Sequence, residues 1–309
     1  MSSTKNKSNI QVLAICLILI NNLWATGIDW SVNRGSADYA ELQIAHGVMS
    51  QARANSGVAL VDPMENIATL SVDSTRGGHL VASRYLSSDD FAFEFQNISW
   101  YQDSKWGVHA RFGQYEDLDG LDDEARSTAG FGAQIHDFAL SYSDQYQDVH
   151  FGVNTHFLNS KIATASSQAF YLDVGLWSTL LPQVDYGLVV GNLGRGSAYD
   201  NREITLPLYL QTGFAYALPL IPVFQSQVFA DYQYQNDRGA SYILGGKMAY
   251  QQFIVVHSAI PIYREDEELQ YYPKSAGLEV IFENLIVNYA FQSIDELGAS
   301  HHMGLEIKF

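Results

Sequence analysis

From Trp106 to Gly113 the chain alternates strictly, with Trp106, Val108, Ala110 and Phe112 on one side and Gly107, His109, Arg111 and Gly113 on the other. A period of two is that of a β-strand, whose successive side chains leave opposite faces. All charge falls on the second face. The split recurs at Val149, Phe151, Val153, Thr155, Phe157 against His150, Gly152, Asn154, His156. It recurs again over 206–216, 224–234, 285–292 and 302–309, where Met303, Leu305, Ile307 and Phe309 oppose His302, Gly304, Glu306 and Lys308. A charge-free face kept over so many strands predicts contact with lipid, where a charged side chain at the midplane costs about 2–4 kcal/mol. A secreted β-sandwich also alternates, but soluble strands average about five or six residues, and several segments here reach ten or more.

Further strands are predicted near 78–87, 91–102, 127–135, 138–143, 167–177, 183–193, 240–250, 252–259 and 275–282. The count is fifteen. Single-chain bacterial barrels use an even number, so the expectation is fourteen, with one segment misread or belonging to a plug. Glu283-Asn284 and Gln251 read as tight turns. The stretches 116–126 and 261–274 read as long acidic loops, the pairing of short inner turns and long outer loops usual in membrane barrels.

Lys5 and Lys7 precede an apolar run from Ile10 to Ile20, and Ala25-Thr26-Gly27 offers a small-x-small site, so residues 1–27 read as a signal peptide. Cys16, the one cysteine, lies within it. Residues 28–77 form an N-terminal segment expected to be plug-like or periplasmic, and 78–309 the barrel. Past residue 27 no apolar run suits a transmembrane helix. A net charge of -17 argues against a nucleic-acid partner.

Chemistry-bearing residues are sparse. His150 and His156 share a strand face but lie about 20 Å apart at 3.3 Å per residue, too far to hold one ion. His109, His136 and His302 read as further lumen histidines, and His301-His302 as a turn feature. No Gly-x-Ser-x-Gly is present, and the expectation is no enzyme, no cofactor and no metal. Asp231, Glu279, Lys247, Glu306 and Lys308 fall on inward faces as candidates for lumen ion pairs holding a plug.

The C-terminal block Asn288-Tyr289-Ala290-Phe291, Leu297-Gly298, His301-His302 and Phe309 resembles the PorV/PorQ family of FadL-like outer-membrane barrels. Other stretches match in family order: Ala52-Arg53-Ala54, Asn66-Ile67-Ala68-Thr69-Leu70, Gly152 with Asn154, Asp173-Val174-Gly175, Asn192-Leu193-Gly194, Leu206-Pro207-Leu208 and Gly213. Ile67 stands where the family has Pro, and Ser300 where Thr is usual. The resemblance implies a fourteen-stranded barrel in the bacterial outer membrane, with a short N-terminal segment toward its lumen. The function it implies is that of a non-enzymatic interaction or anchoring component of type IX-like secretion, with membrane lipid, the barrel-assembly machinery (through the strand ending in Phe309) and secretion-system proteins as partners. The alternative is FadL-like passive transport of a small hydrophobic molecule that leaves through a gap in the wall, for which Gly130-Phe131-Gly132 and Leu244-Gly245-Gly246 are candidate kinks.

Overall fold

The computed structural model of the protein describes residues 39–72, 77–88, 91–121, 127–197, 204–219, 223–251, 253–264, 274–294 and 298–309. The expected signal peptide lies outside them. Fourteen antiparallel strands close into a barrel: β1 Gly77–Ser88, β2 Phe91–Gln102, β3 Trp106–Leu121, β4 Ser127–Tyr146, β5 Val149–Ile162, β6 Ala165–Leu181, β7 Val184–Gly196, β8 Tyr209–Leu218, β9 Phe224–Gln235, β10 Gly239–Tyr250, β11 Ile254–Arg264, β12 Lys274–Phe282, β13 Leu285–Ile294 and β14 Gly298–Lys308. Each strand pairs with its sequence neighbours, and β1 closes on β14 from Gly77↔Lys308 to Arg84↔His301. Closure satisfies every strand edge inside the sheet, the condition for a β-structure in hydrocarbon.

The alternation sets the two faces as read from the sequence. On β3, Val108 is 52% exposed on the outside while Arg111 is 0% exposed inside. The outer face is aromatic near the end that carries the short turns: Trp106 meets Tyr142 (4.7 Å between centroids), Tyr186 meets Phe214 (5.3 Å) and Phe224 meets Tyr250 (5.3 Å). Such a girdle marks a membrane interface, and the short turns make this the periplasmic end. Phe138, in register with Ala110 and Phe157, lies well inside the apolar band. Phe138→Arg is therefore expected to destabilise the barrel by about 2–4 kcal/mol, read as a lowered denaturant midpoint for refolding into bilayers.

Five expectations need correction. The segments 127–135 and 138–143 are one strand, β4, which brings fifteen to fourteen. The expected gap falls at His136-Asp137, where Asp137 points inward, accepting a hydrogen bond from Tyr171 (2.8 Å) with His156 Nδ1 3.0 Å away, and His136 faces outward beside Phe112 (5.6 Å between centroids) rather than into the lumen. Leu206 and Leu208 do not face lipid: they precede β8, and both are buried. Leu206 packs with Tyr39, Leu42, Phe95, Ile135 and Tyr171 inside the barrel. His301 and His302 belong to β14 rather than to a turn. The acidic stretches are shorter as loops, because β3 runs to Leu121 and β11 to Arg264; 122–126 and 265–273 lie outside the described residues.

Residues 39–72 lie inside the barrel. Their regular structure is a 3₁₀ turn Ala40–Gln43, a five-residue helix α1 Val48–Ala52 and a 3₁₀ turn Ile67–Ser71. Elements this short are unstable alone, so the wall must hold them. It does so partly through glycines on its inner face. A Cβ on Gly152 would lie 2.8 Å from Ala68 N, one on Gly175 2.2 Å from Asn66 Oδ1, and one on Gly187 2.1 Å from Val58 O. Gly152 and Gly175 are register partners. The absent side chains thus leave a seat for the plug backbone.

Candidate functional site

Polar side chains tie the plug to the wall. Arg111 donates to the carbonyls of Glu41 (3.2 Å), Ile44 (2.6 Å) and Ala45 (3.2 Å) and to Asn97 Oδ1 (3.1 Å), with its guanidinium 4.5 Å from the centre of the Phe95 ring. Asp231 Oδ2 accepts from the backbone N–H of Gly57 (2.7 Å) and Val58 (3.0 Å) and from Gln211 Nε2 (2.9 Å). Asn66 caps the second 3₁₀ turn through Ala68 N (3.2 Å) and donates to Val58 O and Leu176 O (3.0 and 2.9 Å). Trp177 Nε1 adds a bond to Ala59 O (2.8 Å). Each replaces hydration that the buried backbone would otherwise lose.

Two cavities flank the plug. The outer one offers about 90 Å³ to the centres of water-sized molecules and is lined by His46, Glu65, Asn154, Asp173, Tyr209 and Gln233 among others. The second, of about 240 Å³, lies toward the periplasmic end between Arg53, His79, Lys247, Glu279 and Lys308. Met64, Pro63 and Tyr101 contribute to both. In the periplasmic cavity Arg53 Nη2 pairs with Asp62, His257 with Glu279, and Lys308 Nζ with Glu306 (3.4 Å). The Arg53 guanidinium overcomes burial and holds the Asp62 carboxyl below the usual range.

Histidines gather beside the outer cavity. His46 Nδ1 and His109 Nε2 are 2.7 Å apart, His109 Nδ1 meets Ser99 Oγ at 2.7 Å, and His156 stacks on Tyr171 at 4.3 Å between the carboxylates of Asp137 and Asp173. Burial, then Arg111 and the two other histidines, hold His46 well below the usual imidazole range, so it stays neutral. Among the described residues no group of three or more His, Cys, Asp or Glu is placed to hold a metal ion.

Glu65 is the unusual plug group. Burial, helped by Asp62 and Asp231 and opposed by Arg53, pushes its carboxyl up to about 7. The folded protein thus favours the protonated acid. Stability is highest at and below the ordinary value of 4.5, falls as pH rises through 7, and is level above. The expected drop across that window is about 2–3 kcal/mol, and Glu65→Gln should flatten it, as measured by thermal midpoints at pH 4.5, 6 and 8.

Beside the outer cavity the wall is irregular. The β6–β7 register shifts between Leu172/Leu193 and Val174/Val190, so two residues, Gly191 and Asn192, oppose Asp173. Asn192 has φ 60°, its N–H donates to Asp173 Oδ1 (2.8 Å), and its Nδ2 donates to Pro207 O (2.8 Å). This is a β-bulge, in which side chains replace part of the ladder. Pairing of β7 with β8 stops at Gly191↔Tyr209. Of the candidate kinks, Gly245-Gly246 sits in regular ladder, whereas Gly130-Phe131-Gly132 adjoins register shifts between β3 and β4.

The singled-out motif residues divide by location. Asn66, Ala68, Leu70, Gly152 and Gly175 meet at the plug–wall contact; Asn154, Asp173 and Asn192 meet at the outer cavity, with Leu193 and Gly194 just beyond the bulge and Pro207 bridged to it. A Cβ on Gly213 would strike Asp231 Oδ1 at 2.1 Å. Tyr289, Phe291 and His301 lie on the outside, where Tyr289 OH and His301 Nδ1 are 2.9 Å apart. Ala290 is buried inside and Phe309 is exposed. Gly298 begins β14, and Leu297 lies outside the described residues. Sequence reading missed His46, Glu65 and the bulge. An inward glycine on each of three consecutive strands was the available signal that another backbone approaches.

No protein-family profile matches the chain, and no curated protein matches its sequence. Solved structures match its fold. The toluene transporter TbuX of Ralstonia pickettii superposes with a TM-score of 0.54 at 10% identity, covering 85% of this chain and 98% of that one. The monoaromatic hydrocarbon channel CymD gives 0.52 at 11% identity over 85% and 96% of the two chains. A FadL homologue of Pseudomonas aeruginosa gives 0.52 at 9% identity over 85% and 98%. The first two are named as a transporter and a channel. The protein is a closed fourteen-stranded barrel of the bacterial outer membrane with the FadL-like fold.

Proposed function

We propose that this barrel carries a small hydrophobic molecule passively across the outer membrane, entering from the outer end and leaving beside the plug or through the wall. The outer cavity carries the reading, because it lies next to the bulge at Gly191-Asn192, where β6–β7 pairing is interrupted and β7–β8 pairing ends. The likeness to barrels named for toluene and monoaromatic hydrocarbon transport supports it. Ligand binding to the folded state raises its stability by mass action. Toluene is thus expected to raise the thermal midpoint of the refolded barrel, and Ala139→Trp, which fills the cavity from β4, to abolish the rise. No rise with the unsubstituted protein would sink the proposal.

Anchoring or cargo binding in type IX-like secretion, the first expectation from the sequence, rests only on the order of the PorV/PorQ-like motifs. Several of those residues, Asn66, Gly152 and Gly175 foremost, have an internal task in this chain, seating the plug. They need no external partner to explain them. Affinity capture of a secretion component by the full chain is the observation that would favour this alternative.

A further inference from the structure

The outer cavity is only half apolar, and its polar half has a definite sense. Gln43 Nε2 donates to Asp237 and Asn55 Nδ2 donates to Gln43 O (3.0 Å), which fixes both amides and leaves Gln43 Oε1 and Asn55 Oδ1 over. These two oxygens, and Asn154 Oδ1 on β5, are buried and accept no hydrogen bond from the protein. All three residues line the cavity. A buried acceptor without a donor costs free energy that a ligand donor recovers. The lining holds no lysine or arginine, and the Asp173 carboxylate in it is already paired with His156 (3.1 Å). An anionic ligand finds no lysine or arginine to pair with there, whereas a neutral donor meets acceptors.

Size narrows the class further. A water needs about 10–15 Å³ on this measure and about 30 Å³ of liquid volume, so a 90 Å³ cavity has room for a single substituted ring rather than a long acyl chain. Ile67, Met64, Val189 and Ala139 supply the apolar part of the lining.

Resting on the carrier reading, we infer that the outer cavity selects a small neutral ring compound bearing a hydroxyl donor, of the phenol or aromatic-alcohol class, over the bare hydrocarbon and over the aromatic carboxylate. The test compares toluene, p-cresol and p-toluate on the refolded full-length barrel, with free concentrations corrected for partition into detergent. p-Cresol is expected to bind about three- to tenfold more tightly than toluene, the increment of one recovered hydrogen bond, and p-toluate more weakly than either. Asn154→Leu should bring the p-cresol to toluene ratio to about one. If that substitution disturbs the wall, Asn55→Leu, confined to the plug, gives the same readout. Toluene binding as tightly as p-cresol, or p-toluate binding best, overturns the inference and leaves the carrier reading standing. Absence of binding by all three overturns the carrier reading itself.

Discussion

A chain carrying Gly175→Val and Gly187→Val is expected to assemble its barrel and lose its plug from the lumen. The two added side chains would occupy space now held by Asn66 Oδ1 and Val58 O, at 2.2 and 2.1 Å from where each Cβ would start. Neither neighbour is the far end of a flexible chain: Val58 O is backbone, and Asn66 is fixed by three hydrogen bonds. Overpacking of this kind costs about 1–3 kcal/mol per site, and the plug's short elements have little stability of their own to set against it. The wall loses nothing comparable, because valine suits a strand. Arg53, the only lysine or arginine in 39–72, is 2% exposed, so trypsin is expected to reach it only when the plug opens. The double variant should be cleaved there at least about tenfold faster, since an opening cost of 1.4 kcal/mol is already a factor of ten. It should also admit large hydrophilic antibiotics. Gly246→Val is the control, as its Cβ would meet only Gln227 O at 3.6 Å. Cleavage unchanged in the double variant would show that the glycine seat does not hold the plug.

The second large effect is expected at Arg111. Replacing it with methionine keeps the length and removes five donors. The carbonyls of Glu41, Ile44 and Ala45 then lose their partner, and Asp137, itself 0% exposed, loses a nearby positive charge. Removing one member of a buried charged network typically costs about 3–5 kcal/mol. Lysine should rescue little, since one ammonium cannot span three carbonyls held by a planar fork. Denaturant midpoints of the three proteins read this directly, and equal midpoints for Arg111→Lys and the unsubstituted barrel would contradict the geometry.

The wall was legible in the sequence because it obeys one rule. Lipid forbids charge on one face, so Trp106, Val108 and Phe112 separate from His109 and Arg111 without any knowledge of neighbours. The lumen obeys no such rule, and reading faltered wherever it imposed its own needs. Asp137 looked like a strand break because a charge in mid-strand usually is one, and the partners that retain it, His156 and Tyr171, are 19 and 34 residues away. Leu206 and Leu208 continued the alternation of β8 in sequence but serve the interior. The plug has no period at all, since its conformation is set by the wall. His46 could not be paired with His109 from sequence, 63 residues separating them. What the sequence did show, without its meaning, was glycine on the inward face of β5, β6 and β7.

Passage of a small hydrophobic molecule through this barrel is read most directly from the initial rate of labelled toluene uptake by intact cells. Cells lacking the protein should take up toluene more slowly, the unsubstituted chain should restore the rate, and Ala139→Trp should not. A rate that is the same with and without the protein would contradict the account.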